Sequence, residues 1–350
     1  MQKLCRGQDG DTFGLSPDKW AYNRIEINRE GNYLYCPLLK AGSTFFRRMF
    51  YSLKEYRYAR NPYTIPIEKA LGANRHVLED IMPFKPFSRL LSGYVDKLFA
   101  PNPYFWSLVG KHIIANFRTV TTPKSRKCGH DVTFEEFLRY VVNGEATNSS
   151  HRDAHFTPSY DQCKPCYLNY TILGKMETFA ADVAYTLSHL GQNISKEELS
   201  AWATNSTFDA IMDSAISPFR WKTAIRKCMT WHEALVRVWR KLQIRGIILF
   251  EHKFPWSPEY TEKYITLQKF TDMVKHLHLN SEKEQFHNQK FAVLAEAYSN
   301  IPAEDLQKFV DVFFFDFQLF QYNPYPSYVF DVNVARQFKN RHRIFHVTSV

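Results

Sequence analysis

An α/β fold, with a central parallel sheet flanked by helices, is what this 350-residue sequence predicts. Three observations carry that reading. Residues 32–37, Asn-Tyr-Leu-Tyr-Cys-Pro, form an aromatic and apolar stretch that reads as a short buried strand. The small-residue turn Ala41-Gly42-Ser43-Thr44 follows, and the next nine residues, Phe45 to Leu53, are apolar at helical spacing. A chain of this length that is 45% hydrophobic can also bury a sizeable core, as one large domain or two ordinary ones.

The remaining elements follow in order. Residues 1–30 are polar and turn-rich and read as a lead-in segment. Residues 60–86 are Pro-rich and irregular, and 79–83 (Glu-Asp-Ile-Met-Pro) make a poor buried strand. An amphipathic helix is expected over 87–99, with Phe87, Leu90, Leu91, Tyr94 and Leu98 on one face. Thr133 with Glu136 three residues on reads as a capping box opening another helix. A further helix is expected over 178–190. The stretch 215–290 is basic and aromatic. Residues 303–320 read as a last helix whose Phe cluster is core or packing surface. No linker stands out, so the expected organisation is one domain over 31–330 with a basic insertion near 210–290, then a tail over 331–350.

Composition excludes several classes. With 23% charged and 16% aromatic residues the chain is neither disordered nor a coiled coil. Thirteen Gly and seventeen Pro exclude a collagen-like chain, and the absence of a 20- to 50-residue repeat argues against solenoids and propellers. The formal net charge of +10 favours an anionic partner (nucleic acid, membrane surface or acidic glycan) without choosing among them. The most apolar runs, 244–250 and 310–320, are too short to cross a bilayer. The N-terminus, Met-Gln-Lys-Leu-Cys, lacks an apolar signal core. Against that, six Cys and four glycosylation sequons, starting at Asn148, Asn169, Asn193 and Asn205, point to the secretory pathway. Membrane attachment is then expected only through an anchor absent from this chain.

The strongest local chemical signal is Lys40-Ala41-Gly42-Ser43-Thr44, between strand and helix. Small residues let backbone N–H groups approach an anion, the helix N-terminus adds partial positive charge, and Lys40 adds a full one. The combination suits a phosphate or sulfate group. The Gly-x-x-x-x-Gly-Lys pattern of nucleotide kinases is absent. A second segment runs Lys85-Pro86-Phe87-Ser88-Arg89-Leu90-Leu91-Ser92-Gly93-Tyr94. Together the two resemble the paired cofactor motifs of sulfotransferases, which use 3′-phosphoadenylyl sulfate. Val132-Thr133-Phe134-Glu135-Glu136-Phe137-Leu138, His155-Phe156-Thr157-Pro158, Cys163-Lys164-Pro165-Cys166, Gly174-Lys175 with Glu177-Thr178, and Asp316-Phe317 with Phe320 and Tyr322 are similar to segments of the Golgi carbohydrate sulfotransferases of the chondroitin and dermatan 4-O class. Order and spacing match over about 32–195 and 298–322. There are departures. Phe84 stands where the family's Arg-x-Pro-Phe has Arg, which a Phe cannot replace as a phosphate partner. Lys85 could substitute only as a point charge. Phe46 stands where the family has Trp, and 210–290 matches poorly.

The resemblance implies a P-loop-like sulfotransferase fold and in-line transfer of a sulfuryl group from 3′-phosphoadenylyl sulfate to a sugar hydroxyl of a glycosaminoglycan or related glycan. It assigns the phosphosulfate to Leu39, Lys40, Ala41, Gly42, Ser43, Thr44 and Phe45, with Lys40 at the leaving bridging oxygen. Arg47 either neutralises charge or is a solvated helix residue. Lys85, Arg89 and Ser92 are assigned to the 3′-phosphate, Arg89 alternatively to a structural salt bridge. His155, His76 and Glu177 are the candidates for the base that takes the acceptor proton. No metal is expected. Cys163 and Cys166 resemble a zinc or redox pair, but disulfide bonding suits an oxidising lumen better, and Cys5 with Cys36 and Cys128 with Cys228 are candidate pairs. The basic stretch from Arg237 to Arg245 has three readings: a solvated helix face, a glycan-binding face, or a membrane-surface helix. The leading expectation is a Golgi-lumenal sulfotransferase. The alternative is a catalytically inactive glycan- or anion-binding member of the same fold, marked by Phe84. A nucleic-acid binder rests on charge and aromatics alone and is not expected.

Overall fold

The computed structural model describes residues 26–28, 33–36, 38, 43–56, 61–65, 80–81, 85–166, 168 and 170–346. Leu39, Lys40, Ala41, Gly42, His76 and Phe84 therefore lie outside the described residues. The chain is predominantly helical and divides into two compact units: 1–89 with 153–206 and 313–324, and 90–152 with 207–312 and 325–350. Buried side chains form one cluster within the first unit and another within the second.

The first unit holds the sheet. Its strands are β1 (Glu26–Asn28), β2 (Tyr33–Cys36), β3 (Asp80–Ile81) and β4 (Ile172–Leu173), in that spatial order. β1 pairs antiparallel with β2; β2 with β3 and β3 with β4 are parallel. The central parallel sheet expected from the sequence is, among the described residues, a small mixed sheet with strands of two to four residues. Residues 79–83, read as a poor strand, do contribute one: Asp80 and Ile81 stand opposite Tyr35 and Cys36. A strand this short is defined by its neighbours' hydrogen bonds more than by its own side chains.

Beyond β2 comes the helix Ser43–Tyr56. Phe45, Phe46, Met49 and Phe50 recur at helical spacing and are all buried, while Thr44, Lys54 and Glu55 face solvent. They pack with Tyr35, Tyr160, Cys163, Val183, Leu187 and Trp202 into one cluster. A disulfide joins Cys36 to Cys163, and Cys166 is disulfide-bonded as well. The candidate pairing of Cys36 with Cys5 is therefore wrong. Cys36 sits at the end of β2, directly under the helix that ends in Cys163, a neighbour set by the fold and not by sequence distance.

In the second unit the helix Trp231–Ile244 is central. Trp231, Ala234, Leu235, Val238, Trp239 and Leu242 are fully buried against Trp106, Ile211, Phe270 and Val274. The expected Cys128–Cys228 disulfide is present. So is the capping box at Thr133: its hydroxyl accepts from the Glu136 amide, and the Glu136 carboxylate accepts from the Thr133 amide. The helix expected over 87–99 is α-helical over Pro86–Tyr94 and widens into a π-turn over Val95–Phe99. The helix expected over 303–320 breaks at Phe313 into Ala303–Val312 and Phe314–Leu319, and two short helices follow it. No helix among the described residues is long and apolar enough to cross a membrane.

Three of the four cations in the basic stretch 237–245 are turned into the second unit, which corrects the reading of a wholly solvated face. Arg240 and Lys241 are 3% and 4% exposed. Lys241 Nζ meets Asp96 Oδ1 at 2.5 Å, Arg240 lies over the Phe250 ring, and Arg237 donates to the carbonyls of Phe99 and His130. These cations serve the interior of the second unit. Arg245, the last cation of the stretch, is exposed and donates to Ser214 Oγ at 3.0 Å.

Candidate functional site

The first unit holds, whole or in part, six of the sequence segments singled out above. The helix Ser43–Tyr56 begins at the second half of the small-residue turn, at the carboxyl end of β2. Its first turn contains no acidic residue, so the partial positive charge of its N-terminus is not cancelled there. Thr44 is exposed beside it, and Arg47 is half-buried one turn on. Phe45 turns inward, with its ring 4.9 Å from Phe179, so beyond its backbone it offers packing only. This donor set fits a phosphorylated anion.

At the start of the second segment, the Lys85 side chain is half exposed, and its Nζ stands 3.9 Å from Glu177 Oε1. Glu177 also accepts the Tyr322 hydroxyl at 3.0 Å, and Lys175 lies 5.2 Å from the Tyr322 ring centre. Burial, together with the charge and hydrogen bond of Glu177, pushes the Tyr322 hydroxyl well above the ordinary tyrosine range. Asp182 pins the turn that carries Glu177, accepting from the Lys175 amide at 2.6 Å and from the Thr178 hydroxyl. Lys85, Gly174–Thr178 and Tyr322 are far apart in sequence and adjacent in space. Glu177, a candidate base, is engaged by a hydroxyl and a cation.

Arg89 does not face solvent. It is 2% exposed and donates from Nη1 to the Thr157 carbonyl at 2.7 Å and from Nη2 to the Ala154 carbonyl at 3.2 Å. Asp316, 1% exposed, accepts from the amides of Ser159 and Tyr160, both at 2.8 Å. Burial raises Asp316 above the usual carboxylate range, and the positive charge of Arg89 works against that rise. Ser92 is half-buried and counts with the second unit.

His155 lies on the turn between these contacts. Its Nδ1 is 2.6 Å from Asp153 Oδ1, and its amide donates to the same oxygen at 2.9 Å. A carboxylate that takes the Nδ1 proton directs Nε2 to act as the acceptor, the arrangement a base requires. Asp153 was not singled out from the sequence, although an acid two residues before a candidate base is a readable signal. Asp316 was quoted only as part of a motif, with no role. No group of His, Cys, Asp and Glu suited to a metal ion occurs among the described residues. The cavity of about 470 Å³ in the second unit is lined by Tyr94, Val132 to Glu135 and Arg237 from the segments above, and by none of the residues assigned to the donor or to the acceptor proton.

The segments that resemble those of sulfotransferases include this unit's helix Ser43–Tyr56 and its Asp-held His155. The comparisons agree. The sulfotransferase family profile matches residues 23–227, more than half of the chain, and the chain belongs to that family. It is 28% identical over 185 residues to carbohydrate sulfotransferase 11 of Mus musculus, covering 48% of this chain and 53% of that one. It is 28% identical over 213 residues to carbohydrate sulfotransferase 9 of Homo sapiens, covering 55% and 46%. With carbohydrate sulfotransferase 14 of Danio rerio the identity is 28% over 224 residues, covering 58% and 59%. The chain spans about half the length of the curated relatives it matches. No solved structure matches it.

Proposed function

We propose that this chain transfers a sulfuryl group from 3′-phosphoadenylyl sulfate to a hydroxyl of a glycosaminoglycan or related glycan. The observation that carries the reading is the presence, in one compact unit, of the helix opening at Ser43, the Lys85–Glu177–Tyr322 cluster and the Asp153–His155 pair. When bound, the donor supplies the sulfuryl group and a phosphate leaving group. Lys40 and the backbone of 41–44, with the Ser43 and Thr44 hydroxyls, hold the phosphosulfate and stabilise charge as it moves to the leaving oxygen. Arg47 adds positive charge one turn on. Lys85, Arg89 and Ser92 are the residues that the resemblance assigns to the 3′-phosphate. His155, oriented by Asp153, takes the acceptor proton. His76 stays a second candidate on sequence alone.

The chain's +10 charge supports an acidic glycan as acceptor and raises its encounter rate. A Golgi-lumenal, glycosylated protein is the setting we propose. The two described disulfides need an oxidising compartment to persist, and the sequon residues Asn148 and Asn193 are exposed. Neither nucleic acid nor a metal enters this reading.

Calorimetric titration with adenosine 3′,5′-bisphosphate tests the proposal. Saturable binding is expected in the wild type, with a loss of at least about 100-fold in affinity in Lys40→Ala, the size of a lost charge-assisted contact. A folded wild-type protein that binds none would sink the enzyme reading. Binding without transfer to any chondroitin, dermatan or related acceptor would favour the inactive glycan-binding alternative marked by Phe84.

A further inference from the structure

We infer that Arg89 is a positioning residue that fixes the turn presenting His155, and is not a ligand of the donor's 3′-phosphate. The inference rests on the function proposed above and changes the task of one residue in it.

A guanidinium that binds a phosphate must reach the surface the donor occupies. Arg89 is instead one of the largest fully buried side chains, and its donors meet backbone carbonyls. Those carbonyls belong to Ala154 and Thr157, on either side of His155. Thr157 itself is fully buried, and its carbonyl also accepts from Gln162 Nε2 at 2.9 Å. Two residues further on, the Asp316 carboxylate takes the amides of Ser159 and Tyr160. The segment 154–160 is thereby gripped by opposite charges: a cation on its carbonyls and an anion on its amides. Each ion meets backbone dipoles, and the Arg89 charge offsets that of Asp316, as burying either requires. Within the grip, the Phe156 and Thr157 amides donate to the Asp153 carbonyl, closing a tight turn that holds Asp153 Oδ1 against His155 Nδ1. The helix bearing the cofactor motif is in this way coupled to the proposed base through Arg89.

The test uses the full chain with Arg89→Lys, and Asp316→Asn as a second variant on a different element. Two readouts are independent of turnover. The first is the preference for adenosine 3′,5′-bisphosphate over adenosine 5′-phosphate, which isolates the 3′-phosphate. The second is amide hydrogen exchange over 153–160. Both variants are expected to keep the wild-type preference within about twofold while exchange over 153–160 quickens about tenfold and that of 43–56 does not change. Turnover should fall about tenfold with the donor KM within about twofold. Collapse of the preference in Arg89→Lys overturns the inference, and so does unchanged exchange in both variants. If the folded wild type binds neither nucleotide, the donor-site reading has failed on its own account, and the exchange result alone judges the grip.

Discussion

Arg118 serves two carboxylates at once. Its Nε and Nη2 reach the two oxygens of Glu136 at 2.6 and 2.7 Å, and its Nη1 reaches Asp131 at 3.1 Å. Burial alone would raise both acids. For Glu136 the bonds from Arg118 and the Thr133 amide outweigh it, and for Asp131 those from the Ser125 hydroxyl and Arg118 do, so both sit below their ordinary range. A depressed acid stabilises the fold above its unfolded value, about 4, and that contribution is lost as pH falls through the folded value. Arg118→Ala should therefore cost about 3 kcal/mol at pH 7 by denaturant unfolding, and less at pH 3, where the acids are being protonated in either protein. An equal cost at both pH values would show that the arginine acts through its packing and not its charge.

At the scale of elements, the helix Trp231–Ile244 shows what a sequence pattern hides. Lys241→Ala should lower stability by about 2 kcal/mol, because it removes the buried cation that meets Asp96 Oδ1 at 2.5 Å, and should leave the salt needed to elute the protein from immobilised heparin unchanged. A lower elution salt with unaltered stability would restore the glycan-binding reading. The apolar rhythm of Trp231, Leu235, Val238 and Leu242 was present in the sequence, but the cations between them suggested a surface. What buries them is partners at long range: Asp96 is 145 residues from Lys241, and the carbonyls that hold Arg89 are 65 and 68 residues away. The Thr133 box was legible because donor and acceptor lie three residues apart. So were the strand before the small-residue turn and the helix after it, since local alternation and spacing encode both. The partner of Cys36 and the grip on 154–160 were not, because only the packed chain brings those groups together.

For the whole molecule, acid should act in two stages. Burial lowers His130 and His342, with the Asp131 charge opposing the first and Arg341 and Arg240 reinforcing the second. A base whose folded value is depressed contributes stability above its unfolded value, near 6.5, and that contribution is lost as pH falls below it. The carboxylates around Arg118 act in the same direction at lower pH. Melting temperature is expected to decline between pH 7 and 5 and more steeply below pH 4.5, followed by calorimetry. A flat profile down to pH 5 would mean that neither histidine is held neutral. Two long covalent loops work against this loss. In the chain-entropy account, a disulfide closing a loop of a hundred residues or more contributes about 5 kcal/mol. The loops also interlace: Cys128 lies inside the span from Cys36 to Cys163, and Cys163 lies inside the span from Cys128 to Cys228. Any single backbone cut between Cys36 and Cys228 then falls within at least one closed ring. A protease that nicks the chain there leaves one covalent molecule of unchanged mass on a non-reducing gel, and the two fragments part only when a thiol is added.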